Sequence, residues 1–298
     1  MLLAAVDIGR QLFYSRGMKS STEFRLAHCR IVLLAAGLLL FAGISSLLAQ
    51  PGDIRIVAPY AGWVTSVYER ESDPEDIELK DTDLMLGLYA QWIRPRSFQA
   101  NVFLYHAPDV NYASLWGLHS NLDFYFNAGP VQNLVAGGGL ELITINIDAG
   151  DNVEPLQDFE LQTSVVAPFL RAGKQFPLAN DWAELVIFPW AGAELDFVRG
   201  DLSFFVPFPF PGQTVKTDLD ETDLYALAGI NLRSTLLRFL QLDAKYSAAF
   251  DPHSWYPRAS LMTNVFLTRQ LGLSYRFSYM QTSAGSTMYN IFGVVAMF

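Results

Sequence analysis

The chain has 298 residues, 51% of them hydrophobic and 14% aromatic, with a mean hydropathy of +0.20 and a formal net charge of −10. So apolar a composition calls for a membrane, and the acidity excludes nucleic acid as a partner, because that surface wants clustered Lys and Arg. The first predicted element is "CRIVLLAAGLLLFAGISSLLAQ", which follows Lys19, Arg25 and Arg30 and closes on Leu47–Ala49 before Gln50. A basic stretch, an apolar stretch and a small residue at the cut make residues 1–49 a secretory signal peptide. A retained single-helix anchor is the alternative. Met18 is a second candidate start, since residues 1–17 serve no evident purpose.

Cleavage after Ala49 removes five of the 20 basic and two of the 30 acidic residues, leaving a net charge of about −13. It also removes Cys29, the one cysteine, so the mature chain has no thiol, disulfide or Cys-based metal site. An exported, apolar chain with no second run long enough for a spanning helix leaves one solution. In a bilayer only helices and closed barrels satisfy every backbone polar group.

Twelve stretches with strand character follow in order, near 54–69, 83–93, 97–107, 114–126, 131–147, 158–171, 182–198, 223–234, 240–250, 257–268, 271–280 and 286–298. Four alternate cleanly. Leu84, Leu86, Leu88, Ala90 and Trp92 oppose Met85, Gly87, Tyr89 and Gln91; Trp116, Leu118, Leu122, Phe124 and Phe126 oppose His119, Asn121, Asp123 and Tyr125. Residues 240–250 and 271–280 repeat the pattern, with Asp243, Lys245 and Arg276 on the polar faces. This is the period of a wall with lipid on one side. The Gly137–Gly139 run predicts a kink or bulge, and Pro168 and Pro189 predict bulges or early ends. Residues 50–298 read as one all-β domain, a transmembrane antiparallel up-and-down barrel of about 12 strands, with 10 to 14 in range.

The connectors alternate in character. "ERESDPEDIELKDTD", "DAGDNVEPLQD" and "TDLDETD" are long and acidic, whereas the intervening turns carry Arg94, Arg96, Arg171, Lys174, Arg238 and Arg269. Long loops outside and short turns inside fit a barrel whose termini both lie on the turn side. The chain then ends on Phe292, Val294, Ala296 and Phe298, spaced by two. A closing apolar strand with a terminal aromatic resembles that of bacterial outer-membrane β-barrel proteins. The resemblance implies an outer-membrane location, lipid as the surrounding partner, and recognition of Phe292, Val294 and Phe298 by the barrel assembly machinery. Position 296 departs from the pattern, where an aromatic is usual, and the opposite face of this strand is apolar too.

Chemistry for catalysis is scarce. HExxH, G-x-S-x-G, P-loop and dinucleotide-binding patterns are all missing. His119 and Ser120 are adjacent and so face opposite ways in a strand. His253–Ser254 has the same fault, and His106 with Ser114 is a remote cross-strand pairing. No catalytic residue, metal site or cofactor is expected. The lumen carries more. Inward carboxylates are predicted at Asp123, Glu141, Glu160, Glu184, Glu194 and Asp196, and inward cations at Arg233, Lys245, Arg258 and Arg276. Two facing arcs of opposite charge would set a transverse field that selects small polar or charged solutes; paired with each other, they would shut the bore. "LSFFVPFPFPGQTVK" adds Phe204, Phe205, Phe208 and Phe210 as a constriction or binding loop. The expected role is a narrow channel for small solutes. The alternatives are a non-conducting surface barrel acting through its acidic and Phe-rich loops, and a lipid-acting enzyme.

Overall fold

The computed structural model describes residues 52–70, 77–108, 113–128, 131–150, 157–206, 213–237, 239–282 and 285–298. The expected signal peptide, Met18, Phe208 and Phe210 lie outside them. The described residues contain no helix. Their strands are β1 (Ile54–Arg70), β2 (Ile77–Arg94), β3 (Phe98–Ala107), β4 (Ala113–Ala128), β5 (Val131–Gly150), β6 (Gln157–Lys174), β7 (Phe176–Ala179), β8 (Ala183–Val206), β9 (Gln213–Leu236), β10 (Leu240–Phe250), β11 (Trp255–Phe266), β12 (Leu271–Thr282) and β13 (Gly285–Met297). Each pairs antiparallel with its neighbours, β13 with β1 and β6 with β8, so twelve strands form a closed ring. The four-residue β7 stands outside it, paired only with β8.

Alternation sets the two faces. Trp63, Leu84, Leu122, Phe124, Leu170, Leu224, Leu273, Phe292 and Val294 point outward and are exposed, forming the lipid belt. Phe126, Phe176, Trp182, Phe239 and Phe298 girdle the turn end, with Phe250 and Trp255 at the other rim. Inward, Ile56, Tyr60, Val64, Met85, Tyr89, Phe103, Tyr105, Tyr289, Ile291 and Val295 pack into one buried cluster. The second apolar face of the last strand is thereby explained, because Ile291 and Val295 enter this core. The β1 side of the lumen is filled with hydrocarbon and aromatic rings.

Glycines on neighbouring strands hold those rings flat against the wall. Gly117 is paired with Tyr105, and a Cβ at that position would overlap the phenol ring. Gly139 seats Phe169 in the same way. The predicted kink at Gly137–Gly139 is absent. The three glycines run in unbroken register with both neighbours, and the register shifts fall instead at the strand ends, at Phe126/Ala128 and Asp148/Gly150. Their smallness makes room for ring and carboxylate rather than bending the strand.

The prolines do not cause bulges either. Pairing between β6 and β8 skips Ala167 and Pro168 and resumes in the same register. Pro189 is paired with Ile230 of β9, but the ladder with β6 stops at Trp190. A missing N–H costs a rung on one side only, and beyond it the chain leaves β5 at Gln175 to form β7.

Two stretches expected as connectors are largely strand. β8 and β9 run 24 residues each, roughly twice the ~10 a strand needs to cross a bilayer. Their outward residues are apolar up to Phe197 and Leu224 and then turn polar, with Arg199, Asp201, Ser203, Lys216, Asp218 and Asp220. The hairpin therefore rises past the lipid belt, and "TDLDETD" belongs to β9. Phe204 and Phe205 are also in this ladder, paired with Val215 and Thr214, Phe204 with the inward parity of Leu202 and Phe205 with the opposite one. The ends of the barrel meet at the seam, where Arg55 and Phe298 exchange both backbone hydrogen bonds, 3.1 and 2.9 Å. Asp53 fixes the start of β1 by accepting from Trp92 Nε1 at 3.0 Å and from Arg94 Nε and Nη2 at 3.1 Å.

Candidate functional site

Opposite the hydrocarbon side of the lumen lies a lattice of charge. Asp123 on β4 accepts from Arg171 on β6, at 3.1 Å to Oδ1 and 2.7 Å to Oδ2. Asn121 completes the group, donating to Asp123 at 3.0 Å and accepting from Arg171 at 2.9 Å. The carboxylate lies over Gly137 of the intervening strand, where a Cβ would strike it. The rings of Phe169, Phe188 and Trp190 surround the Arg171 guanidinium at 6.0, 5.8 and 5.4 Å.

Higher in the bore, Glu194 on β8 takes two hydrogen bonds from Arg258 on β11, at 2.8 and 2.5 Å. β9 and β10 stand between these strands, so the pair is a chord across the ring. Asp243 lies 3.4 Å from Arg233, its register partner, and 4.0 Å from Lys245. Arg276 on β12 reaches over β13, β1 and β2 to stack on Phe103 at 4.0 Å, and lies 5.3 Å from the Tyr89 ring. Tyr60, Ser274 and Asn264 form a buried hydroxyl–amide chain with links of 2.5 and 2.6 Å.

Between lattice and aromatic wall remains a cavity of about 140 Å3. Its lining includes Tyr105, His119, Glu141, Trp190, Lys245, Arg258 and Arg276. A second space of about 20 Å3 lies toward the turn end, and Arg171, Asn231 and Lys245 line both. These three form a floor: Arg171 is tied to Asp123, and Asn231 accepts from Trp190 Nε1 at 3.0 Å. What the arrangement offers is charge recognition in a confined, partly aromatic space.

The inward face carries Asp123, Glu141, Glu194 and Asp196, and also Arg233, Lys245, Arg258 and Arg276. Glu160 is not on it. With no bulge at Pro168, parity runs unbroken down β6 from outward Leu170 to outward Glu160, which sits above the lipid belt beside Asp148 and Ser203. Glu184 has inward parity but is exposed at the turn-end rim. The sequence does not single out Arg171, Asn121 or Asn231, and its basic turns take in Arg171. That residue lies two places from Phe169, and alternation alone turns it inward. His119 faces the lumen, 6.0 Å from the Phe169 ring, while Ser120 faces outward and donates to Leu140 O at 3.3 Å. His106 is stacked on Trp116 at 4.1 Å with Nδ1 3.2 Å from Leu115 O, and His253 lies in the turn after β10.

No protein-family model matches the sequence, and no curated relative does. Among solved structures, the translocator domain of the autotransporter NalP from Neisseria meningitidis aligns with a TM-score of 0.46 at 17% identity, over 94% of this chain and 100% of that one. The KdgM porin aligns with a TM-score of 0.39 at 10% identity, over 82% of this chain and 99% of that one. The toluene transporter TodX of P. putida gives 0.37 at 10% identity, over 83% and 89%. The closed antiparallel ring, its outward apolar belt and its aromatic girdles give this chain the fold of the bacterial outer-membrane β-barrels.

Proposed function

We propose that the protein is a narrow outer-membrane passage that admits small polar or charged solutes and excludes the larger traffic of a general pore. The cavity of about 140 Å3, lined by charges of both signs and bounded by paired side chains, is the observation that supports it. A ring of twelve lies between barrels that side chains fill and barrels that hold an aqueous channel, and here chords such as Glu194–Arg258 subdivide the bore. Lipid surrounds the wall, and Phe298 at the seam is the residue offered to the assembly machinery.

A second reading rests on the hydrocarbon cluster that fills the β1 side of the lumen. It makes the barrel a non-conducting scaffold presenting the tall β8–β9 hairpin at the surface. Planar-bilayer recordings of the purified protein decide between them. Discrete, low-amplitude openings whose reversal potential in a salt gradient shifts on Glu141→Gln support the passage. A folded, heat-modifiable barrel that never opens, even when the chord is cut by Arg258→Ala, sinks it and leaves the scaffold.

A further inference from the structure

Matching each charged group on the cavity wall to its partner leaves two unmatched. Arg171 is held by Asp123, Arg258 by Glu194, and Lys245 stands 4.0 Å from Asp243. Arg276 touches the Phe103 and Tyr89 rings and has the Tyr289 side chain as a hydrogen-bond partner, but among the described residues it forms no ion pair with a carboxylate. Glu141 has His119 Nδ1 at 4.0 Å and, among the described residues, no Arg or Lys within that distance; its side chain keeps 18% of its surface exposed. Both line the same cavity. Their strands, β12 and β5, are six places apart in the twelve-membered ring, but Arg276 reaches across to Phe103 of β3, whose register partner His119 is paired in turn with Glu141, so the two charged heads lie over one wall, two strands apart.

A guanidinium and a carboxylate two strands apart over one cavity, neither in contact with a counter-ion, are a poor arrangement for a lone ion, which would meet attraction from one and repulsion from the other. It suits a molecule that carries both signs. We propose that the cavity binds a small zwitterion, its anionic group on Arg276 and its cationic group on Glu141, with the rings of Tyr105, Phe169, Trp190 and Tyr289 covering the uncharged part. Arg276 is held by the faces of Phe103 and Tyr89, so its donors are positioned before the ligand arrives. Aromatic faces beside Glu141 favour an ammonium over a metal ion, because they attract an organic cation without needing to replace its oxygen ligands. A cavity of ~150 Å3 takes a molecule of benzene size, which limits the ligand to about six to eight heavy atoms. The spacing of its charges must match that of the two heads, as in an ω-amino acid.

This inference rests on the solute-passage reading but is measured separately from it. The full chain, purified from membranes into detergent, is titrated by calorimetry with glycine, β-alanine and 4-aminobutyrate, and with butyrate and butylamine as single-charge controls. At least one amino acid should bind tenfold or more tightly than either control. Arg276→Gln should reduce that preference to the level of butylamine, Glu141→Gln to the level of butyrate, and Arg276→Lys should keep most of it. Equal binding of butyrate and the amino acids, or no binding of any by the folded parent protein, overturns the site. Because either result is read on the parent protein alone, a variant that misfolds does not obscure it. A silent bilayer with intact zwitterion binding removes the channel and leaves the site; a conducting barrel that ignores all five probes does the reverse.

Discussion

Cutting the Glu194–Arg258 chord tests the lattice most directly. Glu194 keeps 1% of its side-chain surface and Arg258 19%, so Arg258→Met leaves a carboxylate inside the barrel with its two donors gone. Removing one partner of a buried pair costs about 3–5 kcal/mol, whereas replacing both by apolar groups of similar size is often neutral. Arg258 borders the cavity, where water can approach, so the lower figure of about 3 kcal/mol applies. Glu194→Leu alone strands the guanidinium and should cost about as much, while the double variant should recover most of either loss. The assay is urea unfolding of the protein in phospholipid vesicles, followed by tryptophan fluorescence and by the heat-dependent shift of the barrel on gels. With each single variant costing about 3 kcal/mol and the double about 1 kcal/mol, the coupling in the double-mutant cycle should reach about 5 kcal/mol. Single variants costing under about 1 kcal/mol, with additive effects, would refute the claim that this pair is a desolvated strut.

Gly117→Ala drives a methyl into the Tyr105 ring and should destabilise by about 1–3 kcal/mol, as overpacking does; Tyr105→Leu in the same chain should restore most of it, read by the same unfolding curves. Ile230→Arg, deep in the lipid belt, should cost about 2–4 kcal/mol and Asp201→Arg, above it, no more than about 1 kcal/mol, and equal costs would mean the belt is misplaced. In the turn after β10, Asp251 Oδ1 accepts the backbone N–H groups of His253 and Ser254 at 2.6 Å each, and Tyr256 donates to Oδ2 at 3.1 Å. These bonds, the His253 amide foremost, hold the Asp251 carboxyl below its usual range. Its contribution should therefore be complete above about pH 4 and fade as pH falls through the lowered value, read as loss of hydrogen-exchange protection at the Ser254 amide; a profile unchanged by Asp251→Asn would count against it.

Much of the wall is legible because lipid on one side and lumen on the other impose a period of two, as β2, β4, β10 and β12 display. Where the wall leaves the lipid the period fades, since water tolerates polar residues on both faces. That is why Thr217–Asp223 reads as a loop, and why the extent of β8 and β9 is hidden in the sequence. Inward charge follows one residue at a time from parity. The inference fails at Glu160, where it needs a bulge at Pro168 that the chain does not make. The pairing of those charges is beyond such reasoning. Glu194 and Arg258 are 64 residues apart, and whether they meet depends on how far each strand slides past the next around the ring, which no local pattern records.

The exchange of hydrogen bonds between Arg55 and Phe298 has a bearing on biogenesis. A ring sealed between β1 and β13 cannot mature in instalments. Until β13 is in place one edge of β1 is bare, and so is one edge of whichever strand has most recently been added. Joining them means closing a loop of more than two hundred residues, an entropic toll that contacts of such long range must meet before they return anything. Until that loop closes the sheet keeps two unpaired edges, and the β1–β13 ladder that removes them runs from Ile56↔Met297 to Tyr68↔Gly285.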